Sequence, residues 1–284
     1  MARSILFWIL AILFTFSMSL YQRMTGPTHA LRGTAAIAGT EIPYRLARSH
    51  GGDDNHQVRI DPGDAPIEGR VEWKRFKTRD EWVKVAMTRV DGVLVAELPH
   101  QPPGGKLIYR VFLASGPETT PLPEEPAIIR FRNAIPWFVL IPHVLAMFGA
   151  LLLSTRTGLE FFSRDPRVVK LTWWTIGMLI LGGGILGPIL QKIAFGDYWT
   201  GWPHGTDLTD NKTLVALLVW IGALVVIKRM KPRKPAAWTL AASILTLVVY
   251  AIPHSVLGSE LDYETGKMRN IGAAPCPQHG RHIL

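Results

Sequence analysis

Histidine is the residue through which this chain could do chemistry, and proline marks it. Four of the nine His follow a Pro: His100, His143, His204 and His254. Random placement of 21 Pro and nine His over 284 residues gives roughly 0.7 such pairs. Two of them read Ile-Pro-His inside long apolar runs, at Ile141-Pro142-His143 and Ile252-Pro253-His254. Proline in a helix frees a carbonyl and bends the axis. Ionisable groups within a membrane span are functional candidates by default. Asp197, Asp207, Asp210, Glu260 and Asp262 supply carboxylates at the same level. Imidazoles with carboxylates suit zinc, copper or iron. Two His on facing helices can instead ligate a b-type haem. The candidate metal set is His143, His204, His254, Asp207 and Glu260, and no residue is assigned a catalytic role. A second candidate is the tail, where Cys276, His279 and His282 recur every three residues and could hold a soft ion such as copper. Each has a plainer reading beside it. His143 can satisfy a carbonyl freed by proline, His254 can cap a helix, and the tail can be a disordered terminus.

The elements that must position these rings are membrane spans. Hydrophobic residues make up 48% of the chain and charged residues 19%, against about 25% charge in a soluble protein. Five runs lack charge: 4–22, 134–155, 171–191, 213–227 and 235–259. A bilayer core needs roughly 20 apolar residues as a helix. The fourth run has only 15, but Lys212 and Lys228 bracket it and can snorkel to the two interfaces. Arg3, the basic residues from Arg156 to Lys170 and the stretch KRMKPRKP fall in alternate connections. The positive-inside rule then puts the N-terminus in the cytoplasm, and the segment 23–133 and the C-terminus outside it. The net charge of +9 is thereby a topology signal, and nucleic acid is not an expected partner. The first run also reads as a signal peptide ending in Ser17-Met18-Ser19; an uncleaved anchor is the favoured reading.

The expected organisation is an N-terminal transmembrane anchor (1–22), an extracytoplasmic β-sandwich (23–133), a four-helix transmembrane bundle (134–259) and an extracytoplasmic tail (260–284). Segment 23–133 holds 16 basic and 14 acidic residues, nearly neutral. Alternating runs such as EGRVEWKRF, GVLVAELP and KLIYRVFLA indicate seven or eight half-buried strands. Asp91-Gly92 suits a mirror-image hairpin turn, and Pro102-Pro103-Gly104-Gly105 makes the next turn. The arrangement resembles immunoglobulin-like or fibronectin type III domains, with Trp73 in the place of a core Trp and Tyr109 in that of a late-strand Tyr. A single Cys excludes an internal disulfide, so the fibronectin-like version is nearer. The third apolar run carries Gly182, Gly183, Gly184 and Gly187, a face for close helix contact or for a flat cofactor.

The most distinctive stretch is AFGDYWTGWPHGTDLTDNK, with interfacial Trp199 and Trp202 and a helix start capped by Thr209 or Asp210. With HVLAMFGALLLSTRTGLE and IPHSVLGSELDY, it resembles a family of uncharacterised bacterial multi-span inner-membrane proteins. That resemblance implies a location and supplies no activity, cofactor or catalytic residue. The expected function is an accessory or interaction protein of the inner membrane, with the lipid bilayer and a protein at the outer face as partners. The alternatives are a metal- or haem-binding redox protein and, more weakly, a transporter.

Overall fold

The computed structural model describes residues 2–253, 258 and 260–269. Six α-helices are assigned there: α1 Ala2–Thr25, α2 Trp137–Gly158, α3 Val168–Leu179, α4 Gly187–Phe195, α5 Leu208–Val225 and α6 Pro235–Ala251. A π-helical stretch, Ile180–Leu186, joins α3 to α4 as one rod, and a second, Val226–Met230, extends α5. Four helical units are long and apolar enough to cross a membrane: Arg3–Thr25, Trp137–Phe162, Val168–Phe195 and Leu208–Met230. Their outward side chains, among them Phe16, Trp174 and Leu218, leave an exterior that fits hydrocarbon better than water.

Two boundaries differ from the sequence expectation. The fourth run becomes a helix long enough to cross a membrane because it starts at Leu208, before the charged residues of DNK rather than after them. Asp207 caps it, accepting from Thr209 N at 2.8 Å and Asp210 N at 3.5 Å; neither Thr209 nor Asp210 is the cap. The fifth run is the short one, with 17 helical residues. Ile252 turns extended, at ψ 117, because the ring of a following proline disfavours helical backbone before it.

Trp220 is wholly buried at the bundle centre among Ala150, Leu179, Ala216 and Ala242, and its indole N–H donates to Thr246 Oγ1 at 2.9 Å. Helix α1 packs on this bundle through Phe7, Ala11 and Thr15, a buried stripe at four-residue spacing. Gln22 donates to the Tyr250 carbonyl at one end of α1, and Ser4 meets Arg156 at the other.

The β domain holds ten strands: β1 Leu31–Ile37, β2 Thr40–Leu46, β3 Ser49–Gly51, β4 His56–Ile60, β5 Glu68–Arg75, β6 Val83–Ala86, β7 Thr88–Val90, β8 Val93–Leu98, β9 Lys106–Ser115 and β10 Glu118–Arg132. They form a five-stranded sheet, β3-β10-β9-β5-β6, a three-stranded sheet, β4-β8-β7, and the β1-β2 hairpin. The run WVKVAMTRV yields two strands because the chain changes sheets at buried Met87. All three sheets share one core, including Ile37, Ile60, Val71, Leu98, Val111 and Phe131. Asp91 (φ 51) and Gly92 (φ 83) make the expected turn between β7 and β8. Trp73 lies opposite Tyr109 but is only partly buried, whereas Tyr109 is wholly buried and donates to Ala47 O at 2.8 Å.

The two parts are joined without a long linker. Asn133 N donates to Ala194 O at 3.1 Å and Asn133 Nδ2 to Ile193 O at 3.0 Å, both on α4. Arg130 lies over the Phe195 ring, 4.0 Å from its centroid. A small hairpin, β11 Glu260–Leu261 and β12 Met268–Arg269, returns to the β domain through Leu261 N to Gly104 O at 3.0 Å.

Candidate functional site

Where β10 meets the bundle, the chain encloses a cavity of about 220 Å³. Its walls come from α2 (His143, Met147), the π-helical stretch (Gly183), α4 (Gly187, Leu190, Gln191, Phe195), the α4–α5 loop (Asp197, Thr200, Asp207), α5 (Asp210, Thr213), β10 (Arg130) and β12 (Met268). The lining is more apolar than polar, with the ionisable groups supplied by the loop and the β domain.

Glycine brings the helices close enough to form it. A Cβ on Gly183 would lie 2.2 Å from Thr213 Cγ2, and one on Gly182 would lie 2.8 Å from Met147 Sδ. The glycine face is thus occupied by side chains of α5 and α2. π-Helical insertions are frequent at functional sites, and this one leaves the Gly182 carbonyl 3.0 Å from His143 Nδ1. The imidazole therefore donates from Nδ1 to a neighbouring helix, which leaves Nε2 as its acceptor nitrogen.

The loop before α5 is pinned by its own polar groups. Asp210 Oδ2 accepts from Thr200 N at 2.6 Å, Asn211 Oδ1 from Trp202 N at 2.7 Å, and Gln191 Nε2 donates to Thr200 Oγ1 at 2.7 Å. Gly201 is required, since a Cβ there would lie 2.6 Å from that of Asp210. Asp207 N donates back to Thr200 O at 3.0 Å. On the β side, burial pushes the Arg130 guanidinium down to about 10, with Asp207 and Glu260 pulling the other way.

Of the five residues proposed as metal ligands, His143 and Asp207 line this cavity. His204 sits in an exposed turn, its backbone N 2.9 Å from Gly201 O, and is not in the lining. Glu260 is engaged elsewhere: Lys77 Nζ lies 2.5 Å and Lys106 Nζ 2.9 Å from its carboxylate. Burial there pushes the Glu260 carboxyl up, but the two lysines outweigh it and hold it below the ordinary range. His254, Cys276, His279 and His282 lie outside the described residues. Among the described residues, no group of three or more His, Cys, Asp or Glu gathers as a metal site.

Sequence reasoning missed Arg130, Gln191 and Thr200. The alternation in AIIRFRN already puts Arg130 on the face opposite Ile129 and Phe131. No local pattern reports that this face meets α4. No protein-family model matches the chain, and no curated protein matches its sequence.

Proposed function

We propose that this chain is an integral inner-membrane protein without catalytic activity of its own, which recognises a small amphipathic molecule or its membrane-borne headgroup where the β domain meets the bundle. The observation that carries the reading is the junction cavity, whose walls include both β10 and the helices. Apolar side chains from Met147, Leu190, Phe195 and Met268 suit an apolar moiety, and Arg130 with Asp197 suits a zwitterionic group. The N-terminus is cytoplasmic and the β domain extracytoplasmic by the positive-inside rule. In support, Ser4 meets Arg156, and Val168, Ile227 and Ala236 pack together, each beside a basic connection. The β domain is read as immunoglobulin-like, of the fibronectin kind, from sheets that share one core and from buried Tyr109. Occupancy of the cavity would alter how the domain is held on the bundle, which is the form an accessory or interaction role takes here.

Native mass spectrometry of the detergent-purified full chain tests the reading. The expected result is a retained zwitterionic lipid or amphiphile that is lost when Leu190→Trp fills the cavity. Retention unchanged by Leu190→Trp, or no binding of zwitterionic amphiphiles at all, overturns it. A second reading, a metal or haem held by His143 beside Asp207, rests on their sharing one cavity. Absorbance between about 400 and 600 nm with elemental analysis separates it from the first.

A further inference from the structure

A different pair of histidines has the geometry of a metal site. His50 lies on β3 and His56 opens β4, with five residues between them in the sequence His-Gly-Gly-Asp-Asp-Asn-His. β3 belongs to the five-stranded sheet and β4 to the three-stranded one, so the pair spans the gap between sheets at one edge of the β domain. Their Nδ1 atoms are 3.3 Å apart. Two nitrogens bound to one tetrahedral zinc ion at about 2.0–2.1 Å stand about 3.3–3.4 Å from each other. The other nitrogen of His50, Nε2, is 3.0 Å from Asp54 O and 3.3 Å from Asp54 Oδ1. Metal-bound histidines commonly use their second nitrogen in this way, donating to a carboxylate or carbonyl that fixes ring and tautomer.

We propose that His50 and His56 form a two-histidine site for a zinc-like divalent cation, bridging the two sheets through their Nδ1 atoms, with Asp54 orienting His50 and water completing the coordination.

The surroundings hold the pair in place. His50 is paired with Phe131 of β10, and its ring lies edge-on to the Phe131 ring with centroids 5.5 Å apart. His56 is paired with Leu98 of β8. The intervening loop must fold back tightly for Asp54 to reach His50. A Cβ on Gly51 would lie 2.8 Å from the Arg132 guanidinium, and one on Gly52, at φ +128, would lie 2.8 Å from Asp54 Oδ1. Both rings are half-buried, so an ion can enter from solvent. In the metal-free pair, His50 Nε2–H faces Asp54 and His56 Nδ1–H donates to His50 Nδ1. On binding, the His56 proton moves to its Nε2, both Nδ1 lone pairs meet the ion, and no proton is released overall. Asp54 stays in place as the acceptor of His50 Nε2–H.

The test is calorimetric titration of zinc chloride into the detergent-purified full chain. Its background carries Cys276→Ser, His279→Ala and His282→Ala to remove the tail donors. One zinc per chain is expected, with at least tenfold weaker binding in His50→Ala and in His56→Asn. Asp54→Ala should weaken binding by about 10–100-fold, as loss of an orienting partner does. Zinc should also raise the melting temperature of the background protein and not of His56→Asn, whose unchanged circular dichroism reports that the domain remains folded. Absence of zinc binding at submillimolar concentration, or binding that neither histidine variant weakens, overturns the proposal.

Discussion

The two ends of the helical bundle use the same residue types to opposite effect. At the end away from the β domain, Arg156 and Glu160 close directly on each other at 2.5 Å, and both are buried. Glu160 Oε2 also takes the Arg167 backbone N–H at 2.7 Å, and Arg156 lies 5.4 Å from the ring centroids of Phe7 and Trp8 on α1. At the β-domain end, Arg130, Asp207, Asp210 and His143 line one cavity. Their carboxylates are used on backbone N–H groups of the loop and helix start. The first arrangement is a clasp among α1, α2 and the following connection; the second keeps a space open.

Breaking the clasp should have the largest effect. Arg156→Ala leaves Glu160 buried without its cation, a change that costs about 3–5 kcal/mol. The check is thermal or denaturant unfolding of the detergent-purified chain, with Arg156→Met/Glu160→Met expected to recover most of the loss. Equal stability of Arg156→Ala and the parent would mean that water replaces the guanidinium and that this end is as open as the other.

The difference between the ends was only partly legible in the sequence. Continuous apolar runs announce helices long and apolar enough to cross a membrane, and the basic connections rank the ends by charge. The start of α5 was obscured because Asp210 and Lys212 interrupt the apolar run, although both belong to the helix. Lys212 Nζ reaches the Ile252 carbonyl at 2.5 Å, a contact 40 residues distant that no local pattern encodes. The lysines that engage Glu260 are also remote in sequence, 183 and 154 residues away. His143 and Asp207 were placed at one level by proline and depth, which are local signals, and both line the cavity. Arg130 was missed because its role depends on where the β domain rests. His50 and His56 carry no local signal of a site, since one lies on β3 and the other opens β4; only the meeting of two sheets brings their nitrogens together.

The open end is sharpened by a smaller change. Thr213 Oγ1 donates to Thr209 O at 3.1 Å, which fixes the rotamer that points Cγ2 at Gly183. β-Branched side chains have few alternatives in a helix. Gly183→Ala should therefore cost about 1–3 kcal/mol through overpacking. Thr213→Ser removes only Cγ2 and should relieve it, with an interaction energy of opposite sign in a double-mutant cycle. Additive losses would mean that α3–α4 and α5 separate freely, and that the cavity is not defined by glycine contact.

The smallest effect carries the comparison into the β domain, where another carboxylate is clasped by arginine near solvent. Glu72 on β5 is buried, with Arg70 Nε 3.1 Å and Arg110 Nη2 2.8 Å from its oxygens. Arg110 also lies 4.6 Å from the Trp82 ring centroid, so the guanidinium covers the sheet as well as the charge. Burial pushes the Glu72 carboxyl up, but hydrogen bonds and charge from Arg110, then Arg70, outweigh it and hold it below the ordinary range. A carboxyl depressed in the folded state stabilises the fold above its unfolded pKa, and that contribution fades as pH falls through the folded value. Glu72→Gln should thus lower stability near neutrality and leave the variant less sensitive to acid than the parent. Because both guanidinium groups are partly exposed and screened, the loss should not exceed about 1 kcal/mol, less than at either end of the bundle. Unfolding midpoints from pH 7 down to pH 3 check this, and parallel curves for parent and Glu72→Gln would show that Glu72 is held by packing rather than by its charge.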